Sequence, residues 1–230
     1  MKNRRVLAVL LAAAVMLAMM PAMAFADTTA PAPETAPTAP AKSNDIVILG
    51  TSDVHCGIDQ NIGYAGLAAY KKAMAEKYNY VALVDAGDAI QGDTIGTLSK
   101  GEYLVDIMNE VGYDVVVPGN HEFDYGMDQF LNVIVPKMKA TYVSANFVKN
   151  GKPVFDTYKM MTYGDKKVAF VGICTPETLV KSTPTYFQDK NGNYIYDFCN
   201  DTTGEKLYQA VQDAVDAAKK AGANYVVAVA

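Results

Sequence analysis

The sequence predicts a layered α/β domain, a sheet sandwiched between helices. Two observations carry that expectation. Short, unalternated apolar runs alternate with segments of helical periodicity from about residue 44 onward, and polar residues capable of chemistry gather directly after those runs. Unalternated runs suit strands covered on both faces, and in such folds ligands collect outside the carboxyl ends of the strands.

The elements follow in order. DIVILG at 45–50 predicts the first strand, and a helix runs from about Tyr64 to Tyr78, with Leu67, Tyr70 and Met74 spaced as one buried stripe. YVALVDAGD at 80–88 predicts the second strand, GEYLVDIMNEVG at 101–112 a helix closing on glycine, and DVVVPGNH at 114–121 the third strand. A helix from about Met127 to Lys139 leads to strands TYVSANF at 141–147 and KKVAFVGIC at 166–174. In EKLYQAVQDAVDAAKKAG one face carries Leu207, Val211, Ala214, Val215 and Ala218, two lysines complement the C-terminal dipole, and Gly222 can cap the end. NYVVAVA at 224–230 predicts the last strand. DKNGNYIYD at 189–197 superficially matches a calcium loop, but Tyr194 stands where that loop needs glycine, so an Asn-Gly hairpin turn is expected.

Residues 1–26 combine a basic start, an apolar run and the small-residue site Ala24-Phe25-Ala26, the pattern of a secretory signal. Pro21 interrupts the run, so no transmembrane segment is expected after signal cleavage, and the protein is expected outside the cytoplasm, in the medium, at the cell surface or in a periplasm. Residues 27–43, rich in Ala, Pro and Thr, form an extended linker, and 44–230 form one domain. With 20 basic and 25 acidic side chains, the net charge of −5 leaves no basic face for a nucleic-acid polymer. Cys56, Cys174 and Cys199 are an odd number of thiols without a CxxC pair; Cys174 with Cys199 is the pair to test for a bridge.

Chemistry concentrates at three strand ends: Asp53-Val-His55 after the first strand, Asp85-Ala-Gly-Asp88 after the second and Gly119-Asn-His121 after the third. Both histidines of the chain fall in this set. Singly, each residue suits a turn or a helix cap. Together, oxygen and imidazole donors without thiolates suit Zn, Mn, Fe or similar divalent ions, and two such ions about 3.5–4 Å apart would stabilise an in-line displacement at phosphorus.

Asp53-Val-His55, Gly87-Asp88 and Gly119-Asn-His-Glu122 together resemble the signature of calcineurin-like metallophosphoesterases. ILGTSDVH, VDAGDAIQGD, VVVPGNHEFDYG and VGICTPET resemble the secreted 5'-nucleotidase branch, which includes 2',3'-cyclic nucleotide phosphodiesterases, and the resemblance spans about Asp45 to Ala230. It implies a layered sandwich of mixed sheets flanked by helices, two divalent metal ions and a small-molecule nucleotide substrate. Asp53 and His55 would then hold one metal, Asp88 would bridge, and Asn120 would hold the second. His121 would face the phosphoryl group and Asp124 would orient it, which agrees with a carboxylate raising an imidazole's proton affinity. Glu122, Asp85 and Asp93 are read as structural.

Departures sharpen the expectation. Cys56 stands between the D-x-H motif and Gly57, where the family usually has glycine directly, and is read as a tolerated small loop residue. The family's later H-x-G and G-H-x-H ligand motifs do not occur in these 230 residues, which implies the front part of a longer protein with an incomplete site. The function expected of the whole is hydrolysis of nucleotide phosphate esters by metal-activated water, with cyclic nucleotides or nucleotide sugars as alternative substrates. A secreted binding segment without turnover is the remaining alternative.

Overall fold

The computed structural model describes residues 41–230; the expected signal 1–26 and most of the expected linker lie outside the described residues. Among the described residues, no helix is long and apolar enough to cross a membrane.

Four strands form a parallel sheet in sequence order: β1 (Ser43–Thr51), β2 (Tyr78–Asp85), β3 (Val115–Val116) and β4 (Thr141–Tyr142). The expected third strand is only a two-residue ladder, flanked by bonds from Asp114 N to Leu83 O at 2.8 Å and from Val117 N to Asp85 O at 3.0 Å. Pro118 ends it because proline has no N–H to donate. A second sheet, β10–β8–β7, is mixed: β8 (Lys166–Gly172) pairs parallel with β10 (Tyr225–Val229) and antiparallel with β7 (Tyr158–Tyr163). A third, small sheet joins β5 (Val148–Lys149) to β6 (Lys152–Pro153) and β9 (Tyr196–Asp197).

Helix α1 (Gly63–Lys77) packs on β1 and β2 through Tyr64 and Leu67. Tyr70, expected in its buried stripe, is exposed. At about 100° per residue, Tyr64, Leu67, Lys71 and Met74 share one narrow arc and Tyr70 falls at its edge. Lys71 takes the inward place and donates to the Gly112 carbonyl. Short α2 (Thr94–Ser99) is capped by Asp93, whose carboxylate accepts from Thr94 N at 2.5 Å. Helix α3 (Glu102–Val111) buries Leu104, Val105 and Met108 and ends on Gly112 in a left-handed conformation.

The helix expected over 127–139 is a run of 127–137 with a π-helical middle, Phe130–Ile134, in which Val135 N bonds Phe130 O. Pro136, unable to bond Asn132 as an α-helical residue would, sits just after that stretch. We name this run α4; α5 (Thr178–Lys181) is a single turn, and α6 (Glu205–Lys220) packs Ala214 against Ala145 and Val171, with Ala218 also buried. The loop 189–193 is a turn, as expected, closed by an antiparallel bridge between Gln188 and Tyr194. The Asp189 carboxylate accepts from the backbone amides of Asn191 and Asn193, and Gly192 has φ +83°.

The sheets meet at two internal features. Phe123 lies at the hub of a cluster with Phe130, Phe147, Phe187 and Phe198, ring centroids 5.0–5.5 Å away. Asn146, fully buried, accepts from Cys174 N at 2.9 Å and donates to Cys174 O and Phe198 O at 2.7 and 2.9 Å, tying the end of β4 to the segments after β8 and β9. All three cysteines are free, so the candidate Cys174–Cys199 bridge is not formed. The Cys174 sulfur instead lies 3.2 Å from Ser144 Oγ, and burial pushes its thiol up to about 12.

Asn146→Ala leaves one amide and two carbonyls unpaired in the interior, so we expect it to cost about 3 kcal/mol in urea unfolding. A loss below about 1 kcal/mol would mean that this side chain is not the tie between the sheets.

Candidate metal centre

The loops after β1 and β2 continue their parallel pairing beyond the strands. Asp53 N, His55 N and Cys56 N donate to Gly87 O, Asp88 O and Ala89 O at 2.9–3.0 Å. The register requires Asp53, His55, Cys56 and Asp88 all at positive φ, between 46° and 62°, a region that non-glycine residues occupy at a cost. Gly87 and Gly119 permit the next approach: a Cβ on Gly87 would lie 2.3 Å from Gly119 N, and one on Gly119 would lie 2.3 Å from Asp88 Oδ1.

Two acids beneath these loops are structural, as expected. Glu122, 2% exposed, accepts from Asp88 N and Ala89 N at 2.9 Å and from Gly119 N at 2.6 Å. Burial raises its pKa and the three amides oppose that. Asp85 accepts from Thr51 Oγ1 at 2.5 Å and Gly87 N at 2.9 Å, and burial pushes its carboxyl up to about 8.

Above them His55, Asp88 and His121 converge, each offering a ligand atom within 4.8 Å of the others. The two imidazoles meet edge to face, with centroids 4.9 Å apart. Asp88 Oδ1 accepts from His121 N at 2.7 Å, which leaves Oδ2 as its free oxygen. His55 Nδ1 lies 3.1 Å from Gln91 O, and His121 Nδ1 lies 2.6 Å from Asp124 Oδ2, so Nε2 is the free nitrogen on each ring. Partial burial lowers the proton affinity of His121, but the Asp124 carboxylate more than offsets this and raises its pKa above the ordinary histidine value.

Of the other expected ligands, Asp53 is not one of the acidic or imidazole groups brought together in this triplet. Asn120 immediately precedes His121 and is buried, whereas Asp53 is exposed on the His55 loop and accepts from Ser52 Oγ. Cys56 is turned away: its sulfur packs against Gly96 of α2, 1% exposed, and burial raises its thiol pKa. Sequence reasoning missed the Gln91 carbonyl and Ser182, whose hydroxyl donates to Asp124 Oδ1 at 3.1 Å. Neither carries a sequence signal, since one is a backbone atom and the other a lone serine 58 residues from its partner.

The donor set fits a divalent cation: imidazole nitrogens and carboxylate or amide oxygens, with the one nearby thiol directed elsewhere. His55, the expected imidazole ligand, has its second nitrogen held by the Gln91 carbonyl, as metal-binding imidazoles ordinarily do.

A family model described as calcineurin-like phosphoesterase matches residues 46–228. The chain is 29% identical over 204 residues to 5'-nucleotidase of Bos taurus, covering 80% of this chain and 33% of that protein. It is 32% identical over 163 residues to snake venom 5'-nucleotidase of Gloydius brevicauda, covering 63% of this chain and 28% of that protein. The solved structure of a 5'-nucleotidase precursor from Thermus thermophilus shares the fold, with a TM-score of 0.65 and 23% identity over 80% of this chain and 36% of that one. The chain thus spans about a third of the length of these relatives. A match running through nearly the whole described domain makes this chain a member of the calcineurin-like phosphoesterase family, related to the 5'-nucleotidases.

Proposed function

We propose that the protein is an exported phosphoesterase that releases phosphate from nucleotides with the help of two divalent ions. The observation that carries this reading is the convergence of His55, Asp88 and His121 within 4.8 Å at three adjacent strand ends, in a chain related to nucleotidases. Asp53 and His55 would hold one ion, Asp88 would lie between the two, and Asn120 would hold the second. Bound there, the ions would supply Lewis acidity to the phosphoryl oxygens and acidify the attacking water.

The chain's own groups divide the remaining work. Asp88 is oriented by its bond to His121 N and, through its own amide, by Glu122. His121 would hold a proton at Nε2, facing the phosphoryl group, where it stabilises negative charge and hands that proton to the departing alkoxide. Asp124 keeps the imidazole in the matching orientation through Nδ1.

Export rests on residues 1–26, and a spacer over 27–43 would carry the domain clear of a surface. Mass spectrometry of the secreted protein should find Asp27 as its first residue; retention of residues 1–26 would contradict cleavage.

The full-length protein, loaded with metal and offered AMP, a 2',3'-cyclic nucleotide and a nucleotide sugar, should hydrolyse AMP fastest, as followed by chromatography of adenosine, of the ring-opened nucleoside monophosphate and of the two monophosphates from the sugar. A cyclic or sugar substrate preferred over AMP would move the activity to those esters, and no metal-dependent hydrolysis of any would leave a binding role without turnover. His121→Ala should keep its metal content by elemental analysis while turnover falls about 10²–10⁴-fold. Asp88→Ala should instead lose metal, and equal metal loss in both variants would overturn this division. Because the carboxylate raises the His121 pKa, Asp124→Asn should let that imidazole lose its proton at lower pH, as followed by NMR in the metal-free protein. An unmoved or raised midpoint would remove Asp124 from this role.

A further inference from the structure

We propose that Ser182 is a positioning residue for His121, acting through Asp124; this rests on the phosphoesterase reading above. The two oxygens of Asp124 are divided between two partners: Oδ2 takes His121 Nδ1 at 2.6 Å, and Oδ1 takes the Ser182 hydroxyl at 3.1 Å. A carboxylate held by one hydrogen bond can swing about its Cβ–Cγ bond, whereas one held at both oxygens has a fixed plane. That plane sets the direction in which the imidazole points its Nε2.

Both ends of the serine bond are anchored in the same core. Asp124 directly follows Phe123, the hub of the aromatic cluster. Ser182 lies five residues before Phe187, which packs edge to face on Phe123 with centroids 5.3 Å apart. On its other side Ser182 closes α5: its amide donates to Thr178 O at 3.1 Å, and the buried Thr178 hydroxyl donates to Thr175 O at 2.7 Å. Ser182 is itself 8% exposed, so water competes little for its hydroxyl. The neighbouring Lys181 is occupied by Glu177 at 2.7 Å, which leaves the serine as the neutral donor that balances the carboxylate without withdrawing it from His121.

A neutral donor suits the task. A cation at Oδ1 would compete with the imidazolium for the carboxylate's charge, whereas a hydroxyl fixes geometry at little electrostatic cost.

The test separates positioning from simple support. Ser182→Ala should lower kcat for AMP about tenfold, the low end of losses when a supporting partner is removed, with KM nearly unchanged. The loss should nearly vanish for p-nitrophenyl phosphate, whose leaving group departs without a proton. It should also vanish in an Asp124→Asn background, and Ser182→Thr should restore turnover of AMP. In the metal-free protein, the His121 Nδ1–H proton resonance should broaden in Ser182→Ala and be retained in Ser182→Thr. If the alanine variant does not fold, Ser182→Cys, which keeps the volume and weakens the donor, carries the same comparisons. Equal loss on both esters, or a full additional loss in the Asp124→Asn background, would overturn the inference. Wild-type kinetics in Ser182→Ala would overturn it alone, whereas an inactive unmodified protein would overturn the phosphoesterase reading and this inference with it.

Discussion

The site depends on one buried carboxylate. Glu122 sits beneath two loops from different strands and accepts three backbone N–H groups, from Asp88, Ala89 and Gly119. Burying a charge is costly unless hydrogen bonds replace its water, and bonds from amides to an ionised oxygen are among the strong ones. The arrangement is reciprocal, because Asp88 in turn accepts from His121 N on the loop that supplies Glu122. Each loop thus holds the other in place. The left-handed backbone at Asp53, His55, Cys56 and Asp88 persists because this lacing over-determines it.

Below the lacing the core transmits rigidity to the site. Phe123 is the residue between Glu122 and Asp124, and it inserts among four other phenylalanines drawn from α4, the segment after β4, and the loops on either side of β9. One tripeptide therefore braces the loops, fills the core and orients the histidine. Packing of this density resists displacement of any of the five rings, and two of them, Phe147 and Phe198, directly flank strands β5 and β9 of the small third sheet.

The sequence disclosed the parts of this arrangement that arise from local order. Strand ends follow from unalternated apolar runs, and three such ends bearing Asp-x-His, Gly-Asp and Gly-Asn-His predict convergence without any long-range information. The structure brings His55, Asp88 and His121 together at those ends and places Glu122 and Asp85 in bracing positions. What escaped was set by geometry between distant segments. Tyr70 has the right spacing but the wrong rotation about its helix, β3 shrinks because Pro118 cannot continue the ladder, and Cys174 is claimed by Ser144 rather than Cys199. Ser182 could not be found because a hydroxyl 58 residues from its carboxylate leaves no pattern in the chain.

The proposed separation of roles between the two histidines has a physical basis in their unlike partners. His55 Nδ1 faces a neutral carbonyl, that of Gln91, which favours an imidazole carrying its one proton there and presenting a lone pair at Nε2. His121 Nδ1 faces the Asp124 carboxylate, which favours a second proton at Nε2. A lone pair is what a cation needs, and a proton is what a developing alkoxide needs. Within a cluster whose ligand atoms lie within 4.8 Å of one another, the second partners, rather than the distances, would then distinguish the proposed ligand from the proposed acid.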